Sequence, residues 1–219
     1  MDVEPLVAVP EILIVEPPRL PKQLLERAEQ LHQELLSRPE GYDDPVLVGL
    51  EADAERIVAY EAPYSLARTL YAAADPRFGV GTVAAKLMLS SPHGLEWLWQ
   101  LRTEHVLEAD RWSWAAAGGV DPGEDPLQAV RREAQEELGI AASALEGLEP
   151  LALVGSPGLA ILFRARLAPR VELHPNAHEV AELRFASAPP EPCTRTVAAV
   201  WDRVAAISGA RDAVSSQAL

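Results

Sequence analysis

The chain has 219 residues, of which 48% are hydrophobic and 24% charged, and its 33 acidic residues against 19 Lys and Arg give a formal charge of −14. This composition supports one globular core with room for an appendage and excludes disorder. The negative charge, with no basic cluster anywhere, excludes a nucleic-acid partner, since such binding depends on Lys and Arg at phosphates. A single cysteine, Cys193, can form neither an internal disulfide nor a zinc knuckle, so a reducing cytoplasm is the expected compartment. The first residues, MDVEPLVAVPEILIVEPP, lack the basic start and unbroken apolar run of a secretory signal, and no apolar stretch nears the ~20 residues of a membrane span, so no membrane partner is expected.

In chain order, residues 5–16 read as extended segments cut by Pro10. Leu24, Leu25, Ala28, Leu31, Leu35 and Leu36 recur at helical spacing, which predicts an amphipathic helix from Arg19 to Ser37, ended near Pro39-Glu40-Gly41. The apolar runs Val46–Leu50 and Arg56–Tyr60 flank a polar turn and predict paired strands, and a second helix is expected at Ser65–Ala74. Pro and Gly in Asp75-Pro76-Arg77-Phe78-Gly79 mark the expected boundary between an α+β extension, residues 1–76, and a main domain, residues 77–209, with a tail at 210–219.

Val80–Leu89 and Leu95–Arg102 predict a long hairpin, and Trp112–Ala117 a third strand leading to a Gly-rich loop. A helix follows from Pro126 to Leu138, with Asp125 as N-cap, Pro126 at the first helical position and Gly139 as terminator. Strands at Leu151–Val154, Leu159–Leu167 and Val180–Ala186 and a helix at Thr194–Ile207 complete the expectation.

The helix after the Gly-rich loop carries unusual chemistry. Glu133, Glu136 and Glu137 stand at i, i+3 and i+4 and share about 100° of helix arc beside an apolar face of Leu127, Val130, Ala134 and Leu138. A lone EAQEE segment is ordinarily a solvated acidic face. Carboxylates this dense otherwise suit a hard divalent cation, Mg²⁺ or Mn²⁺. Arg132 cannot be a ligand and is expected to pair with Glu124 or Glu136, fixing a carboxylate's orientation.

The full spacing runs Gly118, five residues, Glu124, seven residues, then Arg132-Glu133-Ala134-Gln135-Glu136-Glu137-Leu138-Gly139-Ile140. It resembles the signature of the Nudix hydrolase family at every fixed position, and seven such identities would arise by chance at on the order of 1 in 10⁸ per starting position. The resemblance covers residues 77–209 and implies an α/β/α sandwich in which a mixed sheet carries the box as loop, helix and loop. It also implies metal-assisted attack of water on phosphorus in a nucleoside diphosphate linked to another moiety. Metal ligands would be Glu133, Glu136, Glu137 and the backbone carbonyl of Ala117, with Glu124 and Arg132 as the orienting pair. Ala116 and Ala117 replace the Pro-Gly that often precedes the box, and neither change removes a ligand.

A general base outside the box is common in such enzymes. Glu179, Glu182 and Glu172 compete for that role, with Glu179 the first choice, while Glu136 could itself serve. Arg102 at a strand end is a candidate for a substrate phosphate. Trp112 and Trp114 alternate and so share a sheet face, where Trp114 could stack a base or simply pack. His174, His178, Tyr60, Tyr64, Tyr71 and Cys193 carry no expected role. The order of elements in the extension is similar to that of Nudix proteins that cleave nucleotide sugars such as UDP-glucose, and its apolar helix faces would suit either a second copy of the chain or its own domain. An isopentenyl-diphosphate isomerase, which shares the fold, would need a cysteine before the box that this chain lacks. The remaining alternative is a non-catalytic nucleotide-binding regulator, which typically loses box carboxylates, whereas all are present here.

Overall fold

The computed structural model describes residues 2–37, 43–73, 75, 77–79, 81–94, 96–155 and 158–217, with side chains through residue 209. The expected helix stop Pro39-Glu40-Gly41 lies outside the described residues, as do Pro76 of the expected boundary and the expected strand starts Val80 and Leu95.

Apolar alternation builds two sheets. In the extension, β1 (Asp2–Pro5) and β2 (Glu11–Ile14) precede helix α1 (Lys22–Leu36), the hairpin β3 (Pro45–Ala52) and β4 (Arg56–Pro63), and helix α2 (Tyr64–Ala73). Strand β2 runs parallel to β4 and β3 antiparallel to it, in the order β2-β4-β3. One face of this small sheet, with Val48, Tyr60 and Ala62, packs on Ala28 of α1 and Leu66, Ala67 and Leu70 of α2. Leu47, Ile57 and Ala59, on the other face, enter the core of the main domain beside Val83 and Leu159. Strand β1 leaves the extension's own sheet altogether and pairs antiparallel with β9 of the large one.

The large sheet adds β5 (Val83–Ser90), β6 (Trp97–Arg102), β7 (Trp112–Ser113), β8 (Ala116–Gly119), β9 (Leu145–Gly155), β10 (Leu159–Leu167) and β11 (Val180–Ala186). Its path is β1-β9-β10-β5-β6-β11, with β7 on β6 and β8 on β5. The pair β10 and β5 is parallel and the other pairs are antiparallel, so the sheet is mixed. Strand residues alternate between two cores, as the pleat dictates. Val83, Ala85, Leu87, Ile161 and Phe163 face helix α3 (Pro126–Leu138), and Met88, Ala160 and Leu162 face helix α4 (Arg195–Gln217). The result is the expected α/β/α sandwich. None of the described helices is long and apolar enough to cross a membrane.

Four expectations are corrected. The long hairpin of β5 and β6 does not form: the strands share one pair, Ser90 with Trp97, and then part. Each takes a different partner because the segment after them splits in two. Its first half, β7, pairs with β6, and its second half, β8, with β5, so Trp112–Ala117 is a crossing between strands and not one strand. Strand β9 also starts six residues before the expected Leu151, and α4 extends ten residues past the expected Ile207.

Candidate active site

The site is organised by the local chemistry of α3. Asp125 caps the helix, its side chain accepting from Leu127 N–H at 2.6 Å, while the Gln128 side chain accepts from Asp125 N–H at 3.1 Å. This reciprocal box satisfies donors that the first turn cannot, and Pro126 lacks a donor to satisfy. At the far end Gly139 takes the left-handed conformation, φ 68°, where an added Cβ would stand 2.8 Å from the His174 carbonyl oxygen. That contact matters because the loop 171–179 docks on the helix end: His174 N–H donates to the Leu138 carbonyl and Asn176 N–H to the Glu137 carbonyl, each at 2.9 Å.

Ala129, Val130, Ala134 and Leu138 anchor α3 on the sheet, and the same docking carries two acids inward. Glu133 and Glu137, one turn apart, are 8% and 2% exposed, whereas the Glu136 side chain is 54% exposed. Glu137 accepts from Ala117 N–H at 2.9 Å and from the Gln100 amide at 3.2 Å. Gly118 packs beside them, and a Cβ there would overlap the Glu133 carboxylate and force it to move. Burial pushes the Glu137 carboxyl up to about 8, against the Ala117 hydrogen bond and reinforced by Glu133 and Glu179. Burial likewise raises Glu133 to about 7, more than Arg132 beside it can offset.

Arg132 ties the remaining acids together. Its Nε and Nη2 donate to both oxygens of Glu124 at 3.0 and 2.9 Å, Nη2 also reaches the Gly119 carbonyl at 2.9 Å, and Nη1 reaches Glu133 at 2.6 Å and Glu136 at 3.2 Å. The forked guanidinium thus pairs with Glu124 and Glu136 together, where the sequence left the choice open. Burial would raise the Glu124 carboxyl, but hydrogen bonds from Arg132 and Asp121 N–H outweigh it and hold Glu124 below its usual range. Among the described residues no three Asp, Glu, His or Cys side chains are arranged to hold a cation as they stand, and Arg132 Nη1 sits between Glu133 and Glu136 instead.

Of the three candidate bases, Glu179 accepts from the Asn176 amide at 3.1 Å, and its charge acts on both Glu133 and Glu137. Glu182 is an exposed strand residue paired with Arg184 at 2.7 Å, and Glu172 is exposed. Arg102 donates Nε to the Leu107 carbonyl at 2.6 Å, and its charge acts on Glu137. Trp114 does not offer an open stacking face. It is 1% exposed, its ring centroid lies 5.9 Å from that of Trp99, and the core of α4 covers the cluster. Trp112 shares that core, as alternation predicts, with the Arg184 guanidinium 4.6 Å from its ring.

Cys193 is buried, and burial raises its thiol. Tyr60 is buried and donates to the Phe78 carbonyl at 2.6 Å, while His178 stacks on His105 with centroids 4.6 Å apart. One residue at the carboxylates was not singled out in the sequence: Gln100, which donates to Glu137. It is a polar residue inside the apolar stretch WLWQL, and that interruption is the signal that could have found it.

The profile of the NUDIX domain matches residues 82–196. Similar solved structures include a Nudix hydrolase from M. smegmatis, RenU, 26% identical, covering 59% of this chain and 86% of that one with a TM-score of 0.49. A C. elegans Ap4A hydrolase binary complex is 22% identical, covering 61% of this chain and 98% of that one at TM-score 0.43. A MutT NUDIX hydrolase from Burkholderia pseudomallei is 22% identical, covering 55% and 95% at TM-score 0.45. No match was found among functionally curated proteins.

Proposed function

This chain belongs to the Nudix family, hydrolases of diphosphate bonds, and we propose that it uses Mg²⁺ or Mn²⁺ to cleave a nucleoside diphosphate linked to another moiety. The observation that carries this reading is the buried pair Glu133 and Glu137, held against β8 and lifted toward neutral pH. Two acids buried this close repel each other and want a cation. The donor set fits one, since Glu133, Glu136, Glu137 and the Ala117 carbonyl offer only hard oxygen ligands.

When bound, the cation supplies Lewis acidity toward the phosphate oxygens and toward water. The chain's own groups do the rest. Arg132 orients Glu133 and Glu136, and Glu124 fixes Arg132 through two parallel hydrogen bonds. Glu179 is our choice of general base, supported by its nearness in charge to both buried acids and by the Asn176 amide that holds it. Arg102 would donate to a phosphate oxygen. The extension's order of strand, helix, hairpin and helix supports a nucleotide sugar as the substrate class to try first.

The test is phosphate release from nucleotide sugars, dinucleoside polyphosphates, ADP-ribose, NADH, CoA and NTPs, with Mg²⁺ or Mn²⁺ and with or without added phosphatase. Turnover of one class, lost in Glu136→Gln, is the expected result. Silence across the panel from folded protein, or full activity in Glu136→Gln, would overturn the reading.

A further inference from the structure

Gln100 interrupts the apolar stretch WLWQL of β6, and it is 1% exposed. Its strand is interior at this point, with Ser113 of β7 opposite Gln100 on one side and Leu183 of β11 on the other. Trp99 enters the α4 core and Leu98 the α3 core, so alternation turns Gln100 to the side of Leu98, facing α3. There its Nε2 donates to Glu137 Oε2 at 3.2 Å, the same oxygen that accepts from Ala117 N–H at 2.9 Å.

The other end of the amide is left with nothing: Gln100 Oε1 is buried and has no hydrogen-bond partner among the described residues. A buried acceptor without a donor is destabilising. Turning the amide over would not repair this, because Oε1 would then face the ionised carboxylate, acceptor against acceptor. The sheet therefore fixes a donor on Glu137 and leaves the acceptor unsatisfied.

A carboxylate oxygen offers two lone-pair sites. On Glu137 Oε2 both are taken, and Oε1 accepts from none of the described residues. The other two acids are divided in the same way, since Arg132 Nη1 holds Glu133 by Oε1 and Glu136 by Oε2 and leaves the second oxygen of each unengaged. What differs is the grip. Arg132 is partly in solvent on a long stem, whereas Glu137 is held by a strand N–H and a buried amide, neither of which can swing away.

Hard cations use carboxylates differently. Ca²⁺ takes about six to eight oxygens in flexible geometry, often two from one carboxylate. Mg²⁺ is smaller and keeps near-octahedral angles, which the narrow bite of a two-oxygen carboxylate does not fit.

We propose that Gln100 sets the cation preference of this site: with Ala117 N–H it saturates Glu137 Oε2, confines Glu137 to one-oxygen ligation through Oε1, and so favours Mg²⁺ over Ca²⁺. Gln100 acts through Glu137 and is a positioning residue. The proposal rests on the reading of Glu133, Glu136, Glu137 and the Ala117 carbonyl as a cation site.

Its test is calorimetric titration of Mg²⁺ and, separately, of Ca²⁺ into the metal-free full chain, for the unaltered protein, Gln100→Met and Gln100→Glu, each also melted without metal. The unaltered protein binds Mg²⁺ more tightly than Ca²⁺. Gln100→Met keeps the length of the side chain and removes the donor, so Mg²⁺ binding weakens about 10-fold, as for loss of a group that holds a metal ligand, while Ca²⁺ stays within about threefold. The preference for Mg²⁺ narrows by at least about threefold. Gln100→Glu also lacks the donor and adds a carboxylate oxygen, so it shifts the ratio toward Ca²⁺ by at least the same factor. A ratio unchanged in both variants overturns the proposal, as does a Ca²⁺ preference in the unaltered protein. Equal weakening of both cations with a fall in Tm also overturns it, because Gln100 would then be a packing residue. Failure of the underlying reading has its own signature: the unaltered protein would bind neither cation.

Discussion

Helices α1 and α3 are both amphipathic and both rich in glutamate, yet they use it in opposite ways. In α1 the acids Glu26, Glu29 and Glu34 are all exposed. Glu26 pairs with Lys22 at 3.2 Å and Glu29 accepts from Gln33 at 2.9 Å, contacts that water screens and that contribute little. The helix begins at Pro21 with no side-chain cap and buries only Ala28 and Leu35. In α3 the helix is capped at both ends and buries seven residues, two of them glutamates. An i, i+3 pair of glutamates stands on each helix, Glu26 with Glu29 on α1 and Glu133 with Glu136 on α3. The difference lies in the surface beside it: α3 rests its acidic edge against β8, where Ala117 N–H and Gln100 receive Glu137.

The comparison can be broken most sharply at Glu137. Glu137→Gln keeps the shape and removes the charge, so turnover at saturating Mg²⁺ is expected to fall by at least about 100-fold, since even residues behind a metal ligand are worth 10- to 100-fold. Stability moves the other way. Burial raises Glu133 to about 7 and Glu137 to about 8, so between about 4.5 and 8 these two groups bind more protons in the folded, metal-free protein than in the unfolded chain. Their contribution to stability is fullest below 4.5 and falls as pH rises through this window. Glu137→Gln flattens that fall and melts higher at pH 8, while Glu29→Gln on α1 changes neither Tm nor turnover. A steep fall retained in Glu137→Gln would show that its burial is compensated.

Arg132→Met tests the other half of the site. It strands Glu124 and Glu133, which are 14% and 11% exposed at the side chain. The expected loss is about 2 kcal/mol, below the 3–5 of a fully buried pair because Arg132 itself is partly in solvent. Lys22→Met, which breaks the matching i, i+4 pair of α1, should cost at most about 0.5 kcal/mol. Urea unfolding of both variants decides it, and equal losses would remove the distinction drawn between the helices.

What the sequence made legible follows the same division between local and distant causes. The limits of α3 came from Asp125, Pro126 and Gly139, and those of β10 and β11 from their own apolar runs. All of these signals lie within the element they define. The parting of β5 and β6 could not be read that way, because it depends on how the segment after them divides between β7 on β6 and β8 on β5, which neither strand's own sequence encodes. Strand β1, four residues with no alternation, carried no sign that it would join β9. At the site, the box spacing identified the acids, but only the packing shows that Glu133 and Glu137 turn inward while Glu136 faces water. Trp114 is the reverse case: alternation fixed its face correctly, and the cover supplied by Trp99 and α4 was invisible in the local sequence.

The gentlest test concerns the cap that α3 has and α1 lacks. Asp125→Ala removes the oxygen that accepts from Leu127 N–H, keeps the backbone N–H that donates to the Gln128 side chain, and touches none of the four acids of the site. Loss of such a cap costs about 1 kcal/mol, which in a chain of this length lowers Tm by roughly 2–4 °C. Asp125→Asn, which keeps the accepting oxygen, should recover most of it. Turnover should stay within about twofold of the unaltered protein, because Ala129, Val130, Ala134 and Leu138 hold the helix on the sheet whether or not its first turn frays. A fall in turnover as large as that of Glu137→Gln would mean that the cap, and not the buried face, sets the register in which Glu133 and Glu137 meet β8.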